Sequence, residues 1–296
     1  MAEWYIFALF AAVFATFSTI IHKKLLFKEH ALEFVTILAI MNAVFSLPFL
    51  LRADFSFSPT IWPLIITVAV LNSVGIIYLA RAFRHLEISV ASPLMGFEPA
   101  ILVVFAFLFL QETINIKQAF GLILTISGGY LLEIKKENFN LLQPIKEWAK
   151  SKYVKYTFFA IFVYSISSVI TRYMVNIDRG FNLNPYTYSF LIHFLVASML
   201  FLILSVKYDG IIGVRNGIKQ MGWVIIPASF FSTLHGFLTL FAISVPAANV
   251  GLVIVIKRTS IFFETLIGGQ LFHDSNLLIK SIASIIMLFG IYLIIA

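Results

Sequence analysis

The sequence contains no cysteine and little charge. Without cysteine there are no disulfides and no thiol chemistry, and the redox compartment cannot be read from the chain. Charged residues make up 12% of it, about half the roughly 25% of a soluble domain. With 60% hydrophobic residues and a mean hydropathy of +0.98, the chain cannot build a polar exterior, which excludes an ordinary soluble fold. Two motifs are also missing. There is no HExxH, and no GxxxxGK followed by Ser or Thr, so ATP hydrolysis of the usual kind is excluded. The six histidines are dispersed, and no metal or other cofactor and no catalytic set is expected. A net charge of +7 would suggest nucleic acid only if clustered on a soluble face. Here it is scattered between apolar runs, as in a solvated collar beside a membrane, and no nucleic-acid partner is expected.

What the sequence has in abundance is long apolar runs. The first, WYIFALFAAVFATFSTII from Trp4, has no basic residue before it and is followed by HKKLLFKEH, not by a cleavage site. It reads as a retained first span and not as a signal peptide. A span needs about 20 mostly apolar residues. On that basis ten are predicted: 4–21, 32–51, 61–80, 88–110, 116–134, 156–175, 185–206, 222–243, 247–271 and 277–295. The most polar stretch, Glu133 to Lys155, has room for a short amphipathic helix on the membrane surface. It divides the chain into a first five-helix repeat (1–134), a linker (135–155) and a second five-helix repeat (156–296). The halves resemble each other. From about Val90 onward the first can be laid on the second without gaps, pairing Leu110 with Leu271, Gly129 with Gly290 and Glu98 with Thr259, and FSTIIHKKLL resembles ISSVITRYMV. An odd number of spans per half inserts the second copy upside down, a recurring plan of secondary transporters with the site between the repeats. The fold expected is therefore an all-α integral membrane protein of ten transmembrane helices in two inverted five-helix repeats.

The stretch GFEPAILVVFAFLFLQETINIKQAFGLILTISGGYLL resembles the signature of EamA-type members of the drug/metabolite transporter superfamily. That pattern has Glu-Pro opening the fourth helix, Leu-x-Glu at its end and a Gly-rich fifth helix, with Glu98, Pro99, Leu110, Glu112, Gly121, Gly128 and Gly129 at those places. The second copy departs from it, since Phe272, His273 and Asp274 replace the usual Gly-Glu. The resemblance implies the ten-helix EamA fold and transport of a metabolite.

The ninth predicted span contains VIVIKRTSIFFETLIGG, with Lys257, Arg258 and Glu264 near its middle. Each such charge costs about 2.5–3.5 kcal/mol at a helix centre on insertion scales, so the charges call for a role. In a continuous helix Lys257 and Glu264 share a face about 10 Å apart by the 1.5 Å rise, with Ser260 between them and Arg258 about 100° away. One reading is an internal salt bridge with Glu98 or Glu264. The other is a midplane site for an anionic group, for which an adjacent Lys-Arg pair supplies a point charge and a bidentate fork. The resemblance adds that plastid phosphate translocators, distant relatives in the superfamily, bind phosphate with a Lys-Arg pair in this helix, matched here by Lys257 and Arg258. Glu98, before Pro99, reads as the counter-ion of one of these cations or as a proton-coupling carboxylate. His235, Tyr78, Asn72, Asn42, Ser165 and Ser168 are further path candidates, with interhelical packing as the alternative. His193 reads as a packing histidine.

The function expected is a secondary transporter of a small anionic or zwitterionic organic metabolite, contacted by Lys257, Arg258, Ser260, Glu264, Glu98, His235 and Tyr78. The alternatives are a flippase for lipid phosphate or lipid-linked sugar, and an integral membrane enzyme in which the charges are structural. Its partners would be the bilayer, the metabolite and a coupled proton or counter-substrate, with a homodimer left open, in a plasma (cell) membrane crossed many times. Orientation divides the readings. Lys and Arg concentrate on the linker side (Lys23, Lys24, Arg81, Arg84 and the linker's lysines), against Arg52, Lys117, Arg172 and Arg179 opposite. The positive-inside rule then places the termini outside, whereas the resemblance implies termini in the cytoplasm.

Overall fold

The computed structural model describes residues 4–26, 30–86, 94–131, 150–176, 180–207, 210–264, 267 and 277–295. Regular structure among them is helical, which pairs backbone groups within each segment, as hydrocarbon requires. In chain order the helices are α1 (Trp4–Leu26), α2 (Ala31–Ser46), α3 (Trp62–His85), α4 (Glu98–Leu110), α5 (Ile116–Leu131) and α6 (Lys152–Val175). They continue with α7 (Pro185–Lys207), α8 (Ile211–Met221), α9 (Ile225–Ser244), α10 (Val250–Lys257), α11 (Ser260–Phe263) and α12 (Leu277–Ile295). Among the described residues, six helical stretches are long and apolar enough to cross a membrane: Trp4–Leu26, Ala31–Arg52, Pro59–His85, Lys152–Val175, Pro185–Lys207 and Ile211–Ser244. The helices Glu98–Leu110, Ile116–Gly128 and Ile285–Ile294 are apolar but shorter. Most of the predicted linker, the start of the 88–110 span, Gly268, Gly269, Phe272, His273 and Asp274 lie outside the described residues.

The outside of the bundle is apolar. Phe10, Leu51, Phe107, Phe109, Ile116, Leu202 and Ile285 are exposed, a girdle that a soluble protein would not carry and that lipid covers.

The helices pack in pairs. α1 runs along α9, α3 along α6, α2 against α7, and α5 against α12, while α4 crosses α10. The α5–α12 contact is close because glycines meet there. A Cβ on Gly121 would stand 2.5 Å from the Gly290 carbonyl oxygen, and one on Gly290 2.6 Å from that of Gly121. Missing side chains let two backbones approach where lipid offers no hydrophobic drive to pull helices together.

Three features differ from the sequence expectation. The helix predicted over 247–271 is interrupted: α10 ends at Lys257, Arg258 and Thr259 form a turn, and α11 restarts at Ser260. A second turn, at Gly96 and Phe97, precedes α4. Pro99 therefore sits in the first turn of α4, where its missing N–H loses no helical hydrogen bond, and not in a mid-helix ladder. Finally, the connection predicted at about 207–221 contains α8, a short helix with exposed Ile211, Ile212 and Ile218 beside Arg215 and Lys219. That composition suits the membrane–water boundary.

Candidate functional site

A cavity of about 430 Å³ lies between the α1–α9 and α3–α6 pairs. Its walls fall into matched sets. On α1 and α6 the lining residues Ala15, Ser18, Thr19 and His22 stand 149 positions before Tyr164, Ser167, Ser168 and Thr171. On α2 and α7, Phe34, Val35, Leu38, Ala39 and Asn42 stand 154 positions before Tyr188, Ser189, Ile192, His193 and Val196. On α3 and α9, Asn72, Ile76, Leu79, Ala80 and Phe83 stand 160 positions before Ser232, Gly236, Thr239, Leu240 and Ile243. Corresponding turns of the two halves face the same space.

The charges enter from the two helix interruptions. Lys257, Arg258, Ser260 and Glu264 all line the cavity from the α10–α11 segment, and Glu98 lines it from the first residue of α4. A continuous helix would turn Arg258 about 100° from Lys257. Here the helix tightens at Arg258 and Thr259 into i→i−3 hydrogen bonds, and both Lys257 and Arg258 line the cavity. Asn249 fixes the far end of α10, its side-chain oxygen accepting from the N–H groups of Gly251 at 2.9 Å and Leu252 at 3.3 Å. Arg258 Nη2 donates to Glu98 Oε2 in a partly buried salt bridge. Glu264 acts electrostatically on both Lys257 and Arg258. Not every polar atom is paired: the Arg258 Nε–H donor and the His235 Nδ1 nitrogen are buried without a hydrogen-bond partner.

The remaining polar wall is partly tied together. Ser167 Oγ donates to Asn72 Oδ1 at 2.8 Å, joining α6 to α3, and Asn42 shares a 3.2 Å hydrogen bond with Ser232, joining α2 to α9. Thr171 and Tyr188 share one of 2.6 Å, Ser18 and His22 one of 3.2 Å, and His193 Nδ1 donates to the Ser189 carbonyl at 2.7 Å.

Of the seven candidate residues, Lys257, Arg258, Ser260, Glu264, Glu98 and His235 come together on the cavity wall. Tyr78 does not. Its ring packs 5.1 Å from Tyr156 and 4.8 Å from Phe159, with the Arg81 guanidinium 5.9 Å above it. Asn42, Asn72, Ser168 and His193 line the cavity, whereas Ser165 is not in the wall. Sequence reasoning missed His22, Tyr164, Ser167, Thr171 and Tyr188. The signal for three of them was present, since FSTIIHKKLL over ISSVITRYMV pairs Ser18 with Ser167 and His22 with Thr171. Among the described residues no group of His, Asp and Glu is arranged to hold a metal ion.

A second charged cluster lies at the end of the bundle where α6, α9 and α4 finish. Arg172 is 2% exposed, though the sequence placed it among end-of-span charges. Its Nε donates to Glu112 Oε1 at 2.7 Å, and its other nitrogens donate to the carbonyls of Ile243, Val245, Pro246 and Ala248. Glu112 Oε2 accepts from the Val250 N–H at 2.8 Å. Gln111, in the left-handed conformation with φ 54°, ends α4 just before Glu112.

The long apolar helices, the apolar girdle and the charged internal cavity make this a polytopic membrane protein. Residues 2–134 match the EamA-like transporter family, consistent with membership of the drug/metabolite transporter superfamily. A solved crystal structure of a protein, one of 28 matching chains, is similar at 14% identity and a TM-score of 0.59, covering 98% of this chain and 94% of its own. At that identity the likeness concerns the fold alone. No curated protein matches the sequence.

Proposed function

We propose that the protein is a secondary transporter of a small anionic or zwitterionic metabolite in a plasma membrane, held between two inverted five-helix halves. The observation that carries this reading is the convergence of Lys257 and Arg258, from an interrupted helix, on one cavity where Arg258 Nε has no protein partner. Buried donors without partners are costly, and a carboxylate or phosphate oxygen would satisfy them. Interrupted helices at the centre of a repeat-built fold are the recurring site of secondary transporters. The matched cavity walls and the mirrored pairing of α1 with α9 and of α6 with α3 support the inverted-repeat reading.

The volume favours a metabolite over a lipid-linked sugar. About 430 Å³ falls in the range of roughly 300–1,000 Å³ that small-molecule sites occupy, and the charged wall suits a polar body. Glu98 and Glu264 balance the two cations, so cargo binds by exchanging partners with an existing ion pair. Reconstituted proteoliposomes test this by uptake of amino acids, organic acids and phosphate esters. Uptake of one class by the wild type, lost in both Lys257→Ala and Arg258→Ala, is expected. Retained uptake in both variants would sink the site.

A further inference from the structure

We infer that Lys23 and Arg172 are a matched pair of latches, each closing one end of the cavity. The pair stands at one offset in the sequence. Lys23 precedes Arg172 by 149 positions, the offset that relates the cavity walls of α1 and α6. Their contacts match as well. Lys23 Nζ donates to the carbonyls of Phe83 and Leu86, the latter at 2.6 Å, at the end of α3. Arg172 donates to the carbonyls of Ile243 and Pro246 at the end of α9, the residues 160 positions further on. Both cations are buried, 4% and 2% exposed, where an unpartnered charge would not be tolerated.

The position of these bonds makes them gates. α1 packs along α9, and α3 along α6. Lys23 ties α1 to α3, and Arg172 ties α6 to α9, so each latch joins one pair to the other, at opposite ends of the bundle. At the Arg172 end the barrier is thin. Thr171 and Ile243 line the central cavity, while Arg172 and Pro246 line a separate polar space of about 280 Å³ beyond it. Arg172 with Glu112 is the partition between the two. Rocking one pair against the other breaks one latch and leaves the other made, which is what exposing the cavity to one side at a time requires. Carbonyls and a carboxylate hold these cations in one geometry but offer water the same bonds once parted, so the latch is reversible.

The inference rests on the alternating-access reading but not on the cargo or on Lys257 and Arg258. Its test therefore uses no cargo. The chain has no cysteine, so Ser168→Cys places a single thiol on the cavity wall. A membrane-impermeant maleimide is added from either face of oriented vesicles, and the rate of labelling is read. Glu112→Gln and Arg172→Gln are each expected to raise labelling from the Arg172 end by about tenfold, the worth of one charge-assisted bond, with no rise from the Lys23 end. Lys23→Met is expected to do the reverse, and adding Lys257→Ala should change neither pattern. Rates that stay at the wild-type value in monodisperse protein, or that rise equally from both faces, overturn the inference. So does aggregation of all three latch variants, which would assign these residues to folding alone. Failure of the cargo site with intact one-sided labelling would count against the proposed substrate only.

Discussion

At the scale of single residues, the proposed function turns on Arg258. Its guanidinium pairs with Glu98 and leaves Nε over, so a bound anion would compete with that carboxylate. Arg258→Lys keeps the charge but removes the fork and the Nε donor. It is expected to weaken binding of a carboxylate or phosphate ester by roughly tenfold or more while sparing the fold, a split visible by comparing ligand titration with thermal unfolding. Glu98→Gln removes the competitor and is expected to cost about 1–3 kcal/mol of stability, because a partly buried charged bond is lost. The same variant separates the two cargo classes. An anion should bind it more tightly than wild type, and a zwitterion, whose ammonium needs the carboxylate, more weakly.

Legibility in the sequence also differs residue by residue. Lys257, Arg258 and Glu264 could be read because charge in an apolar run is conspicuous. Arg172 and Lys23 could not, because a hydropathy window scores a basic residue near a helix end as solvated. Only the carbonyls that turn toward it in the folded chain reveal that it is buried. Tyr78 stands apart from them. A phenol within a span suggests a polar path, and its ring packs against Tyr156 and Phe159 beneath Arg81.

At the scale of elements, the long helices were legible because bilayer thickness imposes a length that hydropathy can count. The break at Arg258 and Thr259 was not. Lys, Arg, Thr and Ser all fit a helix interior, and neither Gly nor Pro marks the turn. α8 was hidden because its 11 residues are fewer than a span and its basic residues read as a loop. The α5–α12 contact makes an element-scale prediction. Gly121→Ala would drive a Cβ to 2.5 Å from a backbone oxygen, whereas a Cβ at Gly236 meets nothing within 4 Å. Gly121→Ala is expected to lose about 1–3 kcal/mol through overpacking. Gly236→Ala is expected to be neutral or slightly stabilising, since alanine is the better helix former by about 1 kcal/mol. Thermal unfolding in detergent compares the two, and an equal response would remove the argument from close packing.

At the scale of the whole molecule, the two halves share a cavity whose walls repeat at fixed offsets, with charges introduced where two helices are interrupted. The similarity of FSTIIHKKLL to ISSVITRYMV held more than it first yielded: it pairs wall with wall and latch with latch. What distinguishes the halves is the Lys-Arg pair, which has Gly96 and Phe97 at the matching turn of the first half. The proposed site is therefore asymmetric between halves proposed to be repeats, and cargo is expected to bind in one orientation.

The measurement that tests this account most directly is a thermal-shift screen of the purified protein against amino acids, organic acids, phosphate esters and lipid phosphates, run beside Lys257→Ala and Arg258→Ala. A ligand that binds the folded state raises apparent stability by RT ln(1 + [L]/Kd). The account predicts that one anionic or zwitterionic class stabilises the wild type and that both variants lose the effect. No shift from any such compound, together with variants that are simply less stable than the wild type, would contradict it and assign Lys257 and Arg258 to a structural ion-pair network.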